Sequence, residues 1–273
     1  MSKRWKIFAL LVASGTIWIF VSFGWSSRPG ISSPMAAPIT PASNTGKLKR
    51  SMKLDENGKY LPFYGYTALC MVEHPPSFGR QIEDFIRSSS LGRFYAALPH
   101  DTYHVTIFNI YTIQYQTIPP VERWVKEKGG VIPNNSWLPE YVLHKQHVQA
   151  TNLLAAVTPS FPIETVEFRT PSDYAGLSIL VTALHPDFNH EITQLREKLG
   201  TIYEHDDPGL AKMGFHITLA YAYKQLQISD QVSQDLNILS DMVQKFVEFR
   251  LINHGVYLYD SMTNFILWTD RKN

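Results

Sequence analysis

A four-residue phrase occurs twice in this chain, 112 residues apart, as His104-Val105-Thr106-Ile107 and His216-Ile217-Thr218-Leu219. In a β-strand, the side chains of residues i and i+2 point to the same face of the sheet. Each phrase therefore places an imidazole beside a hydroxyl on one face and two aliphatic side chains on the other. Two such strands facing each other would bring two histidines and two threonines together in one small polar site.

This combination of side chains suits acid/base cleavage of a phosphodiester. A neutral histidine can take a proton while a protonated one gives a proton, because the usual histidine pKa lies near neutrality. Hydroxyl groups can donate hydrogen bonds to phosphate oxygens, where negative charge sits. We therefore predict His104 and His216 as catalytic residues and Thr106 and Thr218 as phosphate-binding residues, and leave open which histidine is the base. The alternative is a pair of core strands with hydrogen-bonded histidines and ordinary strand-forming threonines.

The sequence around both phrases resembles the 2H phosphoesterase superfamily, which is named for two H-x-T/S motifs and includes LigT-like and cyclic phosphodiesterase-like proteins. Two further stretches, Phe78-Gly79-Arg80-Gln81 and Phe94-Tyr95-Ala96-Ala97-Leu98-Pro99, narrow the resemblance to the branch known as DUF1868. It covers about residues 60–270. The resemblance implies an α+β, two-lobed duplicated fold, with mostly antiparallel sheets and flanking helices around a central cleft. It also implies a metal-independent phosphodiesterase that hydrolyses a cyclic phosphate or a 2′,5′-linked nucleotide or RNA end.

The hydrophobic pattern predicts the same class of fold. Strands are expected near 64–73, 103–111, 163–170, 176–184, 214–222, 248–259 and 264–269. Helices are expected from Ser77, from Pro119-Pro120, over 138–157, near 188–199 with a stop at Gly200, and near 230–247. Helices segregated from mostly antiparallel strands indicate an α+β domain.

Six further residues are candidate substrate contacts: Arg80, Tyr103, Phe108, Arg169, Tyr221 and Tyr223. The tyrosines could stack on a nucleobase, or they could be ordinary core aromatics. By strand alternation, Phe108 shares the face of its motif histidine, whereas Tyr103 and Tyr221 fall on the opposite face. The two arginines could contact phosphate, with a plain surface role as the alternative.

Metal-binding and nucleotide-binding motifs are incomplete or missing in the sequence. His190-Glu191-Ile192-Thr193-Gln194 begins like a zinc-protease helix but has glutamine where the second ligand would stand. His144 and His147 could share a helical face and bind a metal, although a solvated face fits a pair without a third ligand. The sequence has no P-loop, dinucleotide fingerprint or G-x-S-x-G elbow. The single cysteine, Cys70, excludes an internal disulfide and is expected to be buried. We therefore predict no metal and no cofactor.

The N-terminal segment predicts a membrane anchor. Ile7–Trp25 is an uncharged run of 19 residues that follows Lys3, Arg4 and Lys6, and about 20 apolar residues span a bilayer. The preceding basic residues predict a single-pass protein with its catalytic domain on the non-cytoplasmic side. Cleavage as a signal sequence, followed by export, is the alternative. We assign residues 1–25 to the anchor or signal, 26–59 to a disordered Ser/Pro/Ala-rich and basic tether, and 60–273 to the phosphoesterase-like domain.

The charge balance limits the class of partner. A net charge of +1 excludes a strongly basic surface that coats nucleic-acid duplexes. We expect a nucleotide or RNA-end substrate, membrane contact through residues 7–25, no obligate protein partner and a monomeric chain. The competing function is a membrane-tethered, non-catalytic binder of a phosphorylated or nucleotide ligand.

Overall fold

The computed structural model describes residues 53–73, 76–113, 117–156, 163–169, 176–183, 186–205, 214–245 and 250–270. The predicted anchor and most of the predicted tether, residues 1–52, lie outside these ranges. Within the ranges described, none of the helices has both the length and the apolar composition needed to cross a membrane.

The described residues form eight β-strands and five α-helices. The strands are β1 (Gly65–Glu73), β2 (Tyr95–Ala97), β3 (His104–Thr112), β4 (Ile163–Arg169), β5 (Leu177–Ala183), β6 (His216–Ala222), β7 (Arg250–Ser261) and β8 (Asn264–Leu267). The helices are α1 (Pro76–Ser88), α2 (Pro119–Lys128), α3 (His144–Ala155), α4 (Pro186–Tyr203) and α5 (Asp230–Gln244).

The eight strands belong to one sheet. Its order is β4-β5-β6-β3-β1-β7-β8, and β2 also pairs with β6. The pairings are antiparallel. The combination of helices with an antiparallel sheet confirms the predicted α+β class. The two strands that carry the repeated phrase, β3 and β6, are neighbours in the middle of the sheet.

The order of strands is nearly symmetrical about the boundary between β3 and β6. On one side β3 is followed by β1 and β7, and on the other side β6 is followed by β5 and β4. In each half, the strand next to the motif strand precedes it in the sequence, and a helix lies between them: α1 in one half and α4 in the other. The duplication that the sequence predicts therefore takes the form of two halves of one continuous sheet.

The core covers both faces of β1. Ala68, Leu69 and Cys70 are consecutive and at most 1% exposed. Because consecutive strand residues point to opposite faces, this burial requires packing on both sides of the strand. Helix α1 supplies Ile82 and Ile86 to the core. The burial of Cys70 confirms the sequence prediction.

Helix α4 does not stop at Gly200, where the sequence predicts its end. It continues to Tyr203 and ends where Glu204 adopts a left-handed conformation with φ of 52°. The amide of His205 donates to the carbonyl of Gly200 at 2.9 Å, which satisfies one of the last helical carbonyls. Arg123 holds the Glu204 carboxylate through two hydrogen bonds of 2.7 and 2.6 Å.

The described fold extends back into the stretch that the sequence assigns to the tether. Leu54 forms an isolated antiparallel bridge with Tyr60 and is 4% exposed. The amide of Leu61 donates to the carbonyl of Lys53 at 2.9 Å, and Phe63 belongs to the core. We call residues 53–63 the rim segment. The predicted boundary at residue 59 is therefore too late, because residues from Lys53 onward already pack against the domain.

Candidate active site

The two His-x-Thr phrases meet at one point of the sheet. Val105 of β3 lies directly opposite Ile217 of β6, and both are buried. The side chains on either side of this pair point to the other face, where they are partly exposed: His104, Thr106, His216 and Thr218. Extending the antiparallel register by one residue places each histidine opposite the threonine of the other phrase. The histidines are then diagonal neighbours, with backbones about 7–8 Å apart.

His104 is held by its own backbone and by an aromatic ring. Its Nδ1 lies 2.7 Å from the carbonyl oxygen of Thr102, and its ring centroid lies 4.6 Å from that of Phe265. A carbonyl only accepts hydrogen bonds, so Nδ1 carries a proton and donates it to Thr102. The neutral ring therefore keeps its lone pair on Nε2, which can accept a proton from another group.

His216 repeats this arrangement in the second half of the sheet. Its Nδ1 lies 3.5 Å from the carbonyl oxygen of Gly214, again the residue two positions earlier. The contact is longer than the corresponding bond of His104, so it constrains the ring less. Both imidazoles thus turn Nδ1 toward the preceding backbone.

The electrostatic environment keeps His104 neutral. Burial lowers the pKa of His104 to about 4, and the positive charges of Lys53 and of protonated His216 act in the same direction. The hydrogen bond to the Thr102 carbonyl opposes this change but does not reverse it. His104 is therefore unprotonated near pH 7. The influence of His216 on its pKa is what two histidines of one site would show.

Both motif strands contain an extra residue directly after the threonine. Against β1, Ile107 is inserted between the paired residues Thr106 and Phe108, and against β5, Leu219 is inserted between Thr218 and Ala220. Such a bulge places two consecutive residues against one partner and breaks the alternation of faces. Both residues at each bulge are buried, so the two strands share the same burial pattern.

The bulges reverse two assignments based on strand alternation. Phe108 was expected on the face of His104, but it lies in the core, 1% exposed, and stacks on Tyr203 at 6.3 Å. Tyr221 was expected away from the site, but the inserted Leu219 returns it to the face of His216. There its hydroxyl accepts a hydrogen bond from Lys53 Nζ at 3.2 Å. Phe108 is therefore a core residue and not, as predicted, a substrate contact.

The other predicted substrate contacts are dispersed. Arg80 is exposed on α1, and Tyr103 is 1% exposed in the core. Arg169 ends β4, and its side chain lies outside the described part of the structure. Tyr223 is half-buried and donates to the carbonyl of Gly92 at 2.8 Å. Of these four, Tyr223 lines the cavity described next.

A cavity of about 550 Å³ lies beside Tyr60. Its lining comprises Asn57, Gly58, Lys59, Tyr60, Arg87, Gly92, Tyr95, Ala96, Ala97, Pro99, Tyr223 and Thr263. Tyr60 connects it to β6, since its ring meets the ring of Tyr221 edge-on at 6.4 Å. Its hydroxyl also donates to the carbonyl of Ala96 at 2.8 Å. The cavity thus combines aromatic and cationic side chains, and one of its lining residues contacts Tyr221 of β6.

Sequence reasoning missed three residues near the site. Lys53 was grouped with the basic tether, yet it contacts Tyr221. Ser178 lies opposite Thr218 in β5 and therefore shares its face. Arg196 is buried in α4 and contacts Ile107 of β3 and Phe215, the residue before β6. Ile192, Leu195 and Leu199, spaced by three and then four residues, mark the buried face of α4 and could have suggested that Arg196 lies at its edge.

The described residues give no support to a metal centre. No group of three or more histidine, cysteine, aspartate or glutamate side chains within them could hold an ion. His147 was expected to share a helical face with His144, but its ring is 2% exposed and its Nδ1 lies 2.8 Å from the Tyr203 hydroxyl. His144 is exposed and lies 3.6 Å from Glu140. Both rings lie 5.5 Å from the ring of Trp268, but their polar partners differ.

The fold and the site define an α+β protein in which a duplicated His-x-Thr phrase converges on one face of the sheet. No family model matches the chain. Uncharacterized protein 127L of Invertebrate iridescent virus 6 is 38% identical over 224 residues, which are 78% of this chain and 92% of the viral protein. The chain therefore belongs to the same family as this viral protein.

Two solved structures resemble the chain to different degrees. The conserved protein of unknown function ATU0111 from Agrobacterium tumefaciens has a TM-score of 0.55 at 15% identity, covering 79% of this chain and 88% of that chain. Usb1 of Kluyveromyces marxianus, solved with uridine monophosphate, has a TM-score of 0.35 at 12% identity, covering 74% of this chain and 95% of that chain. The first similarity concerns the fold alone, and the second is too low to carry an argument.

Proposed function

We propose that this protein is a metal-independent phosphodiesterase of the 2H type. The substrate class is a cyclic phosphate or a 2′,5′-linked nucleotide or RNA end. The observation that carries the proposal is the meeting of the two His-x-Thr phrases about the Val105–Ile217 pair. This arrangement offers two imidazoles and two hydroxyls to one phosphate group, which acid/base cleavage of a phosphodiester requires.

The different environments of the histidines suggest their roles. His104 is neutral near pH 7 and keeps a lone pair on Nε2, so we assign it as the base that takes a proton from water or a ribose hydroxyl. His216 would then act as the acid and protonate the leaving oxygen. Thr106 and Thr218 would donate hydrogen bonds to the non-bridging oxygens, where negative charge increases during the reaction.

The cavity beside Tyr60 is suited to the part of the substrate beyond the phosphate. Tyr60 and Tyr223 offer aromatic surface to a nucleobase, and Lys59 and Arg87 offer positive charge to further phosphates. Arg87 is engaged by Glu83 at 2.8 Å but remains half-exposed. A nucleotide with more than one phosphate, or a short oligonucleotide, would use both kinds of contact.

Turnover in the presence of a chelator tests the proposal. The full chain would be incubated with EDTA and a panel of 2′,3′-cyclic nucleotides and short 2′,5′-linked oligonucleotides, with the His104→Gln protein as control. We expect turnover by the wild type and loss of turnover by the variant. Binding without turnover would favour the non-catalytic alternative. Loss of activity with EDTA and recovery with zinc or manganese would contradict the metal-free mechanism.

For residues 7–25, we propose a membrane anchor that holds the domain on the non-cytoplasmic side. Support comes from the uncharged run of 19 residues and the preceding basic residues. Fractionation of cells that express the full chain, followed by protease protection of the domain, would test both the attachment and the side of the membrane.

A further inference from the structure

We propose that Lys53 is a cationic residue of this site and binds an anionic oxygen of the substrate's phosphate group. The inference rests on the proposed phosphodiesterase function and adds a residue from outside the two His-x-Thr phrases. Neither hydroxyl of those phrases carries a charge and a neutral His104 contributes none, so within the phrases only protonated His216 would supply positive charge. A lysine at the rim would supply a positive charge at neutral pH, as lysines do in many phosphate sites.

The contacts of Lys53 place its ammonium group at the edge of the site. Nζ lies 3.2 Å from the Tyr221 hydroxyl, 4.4 Å from the centre of the Tyr221 ring and 5.4 Å from the centre of the Phe63 ring. Tyr221 lies on the face of His216 because of the bulge at Leu219. These two aromatic rings orient the ammonium toward the face of the sheet that carries His216.

The backbone around Lys53 is fixed by the fold. The carbonyl of Lys53 accepts a hydrogen bond from the amide of Leu61, and the next residue, Leu54, is buried and bridges to Tyr60. A turn closes the segment, in which the Asp55 carboxylate accepts the amides of Asn57 and Lys59 at 2.8 and 2.9 Å. Lys53 is therefore held in place by several contacts on both sides of the turn.

The charge of Lys53 also reaches the proposed base. It opposes protonation of His104, together with burial and the charge of His216. The same ammonium would thus hold the phosphate and add to the effect of burial, which keeps the base neutral before the substrate arrives. A bound anion would offset this charge, so protonation of His104 during proton abstraction would become easier.

Kinetics of full-chain variants test the role of Lys53 in substrate binding. Lys53→Gln should raise KM about 10- to 100-fold, the range for one charge-assisted hydrogen bond, with a smaller fall in kcat. Lys53→Arg should recover most of the loss. Lys128→Gln is the matched control, because Lys128 is exposed at the end of α2. The inference is overturned if Lys53→Gln behaves like the control.

A second readout does not depend on turnover. Titration of the His104 ring signals by NMR should show a higher pKa in Lys53→Gln than in the wild type, because an opposing charge is removed. Inorganic phosphate should shift these signals at lower concentration in the wild type than in Lys53→Gln.

The two readouts separate the two hypotheses. If no substrate is turned over but phosphate binding still depends on Lys53, the inference stands and the enzymatic function is contradicted. If substrate is turned over and Lys53→Gln matches Lys128→Gln in both measurements, the function stands and the inference is wrong.

Discussion

Arg196 donates from Nε to the carbonyl oxygen of Ile107 at 2.8 Å, and Ile107 is the inserted residue of β3. One terminal nitrogen of Arg196 lies 3.5 Å from the carbonyl of Thr106, and its guanidinium lies 4.7 Å over the ring of Phe215. The buried guanidinium of Arg196 therefore contacts Phe215, the residue before His216. It also contacts the backbone of Thr106 and Ile107, which follow His104. It ties the two halves of the sheet together behind the proposed site.

We predict that Arg196→Lys destabilises the protein and slows catalysis. Lysine keeps the charge but loses the planar group that reaches Ile107 and stacks on Phe215. A buried carbonyl left without its partner costs about 1–3 kcal/mol, and the motif strands would be held less firmly. Denaturant unfolding and steady-state kinetics would measure both effects. Arg123→Lys is the control, since Arg123 forms an exposed pair with Glu204, and it should change stability by less than about 1 kcal/mol.

Substitution of either motif histidine should abolish most of the turnover. His104→Ala and His216→Ala each remove one partner in proton transfer, which is worth roughly 10²–10⁴-fold. Groups that act as a unit are not additive, so the double variant should be little worse than either single variant. His190→Ala, at an exposed position of α4, should leave the rate unchanged. Additive losses in the double variant would contradict a shared site.

The motif threonines should matter less than the histidines. Thr106→Val and Thr218→Val each remove one donor to the phosphate and leave the proton path in place. We expect losses on the order of ten- to a thousand-fold in kcat/KM, as for other donors to a developing anion. Rates measured on the same substrate as for the histidine variants would test this order. Losses equal to those of the histidine variants would indicate a further role for the hydroxyls.

The stability of the domain should fall as the pH is lowered from about 6.5 to about 4. An unfolded chain protonates His104 near 6.5, whereas the folded protein does so near 4. The unfolded state therefore binds more protons in this window, which favours unfolding as the pH falls. The contribution is up to about 3 kcal/mol, at about 1.4 kcal/mol per pKa unit. Chemical unfolding should show a smaller fall for His104→Gln than for the wild type, while His190→Gln should follow the wild type.

The pH dependence of catalysis should reflect the same group. Because the reaction needs neutral His104 and protonated His216, the rate should have a bell-shaped profile. Its acidic limb should lie well below the usual histidine pKa, since burial lowers the pKa of His104. Measurement of kcat/KM against pH would test this, and an acidic limb near 6.5 would contradict the assignment of His104 as the base.

Removal of the first 46 residues should leave a soluble and monodisperse domain. The rim segment begins at Lys53, so this deletion spares every contact described for it. Size-exclusion chromatography and unfolding curves of the shortened protein would provide the measurement. Persistent aggregation would show that the apolar N-terminal run belongs to the core.

The sequence was sufficient to predict which face of each strand the motif side chains occupy, because that depends only on strand alternation. Val105 and Ile217 are fully buried and the residues beside them are partly exposed, as a period of two requires. The faces of Phe108 and Tyr221 could not be predicted in this way, because an inserted residue has no distinctive composition. Strand β2 was missed because three residues carry too little pattern, and its pairing with β6 depends on tertiary contacts.

The boundary of the rim segment has a practical consequence for work with fragments. A fragment that starts at residue 60, where the tether composition ends, would keep both His-x-Thr phrases and every strand of the sheet. It would lose Leu54, which is buried, and Lys53, whose ammonium lies over the ring of Tyr221. Such a fragment could fold and still lack the charge that we assign to phosphate binding, so its inactivity would be misread as evidence against an enzyme.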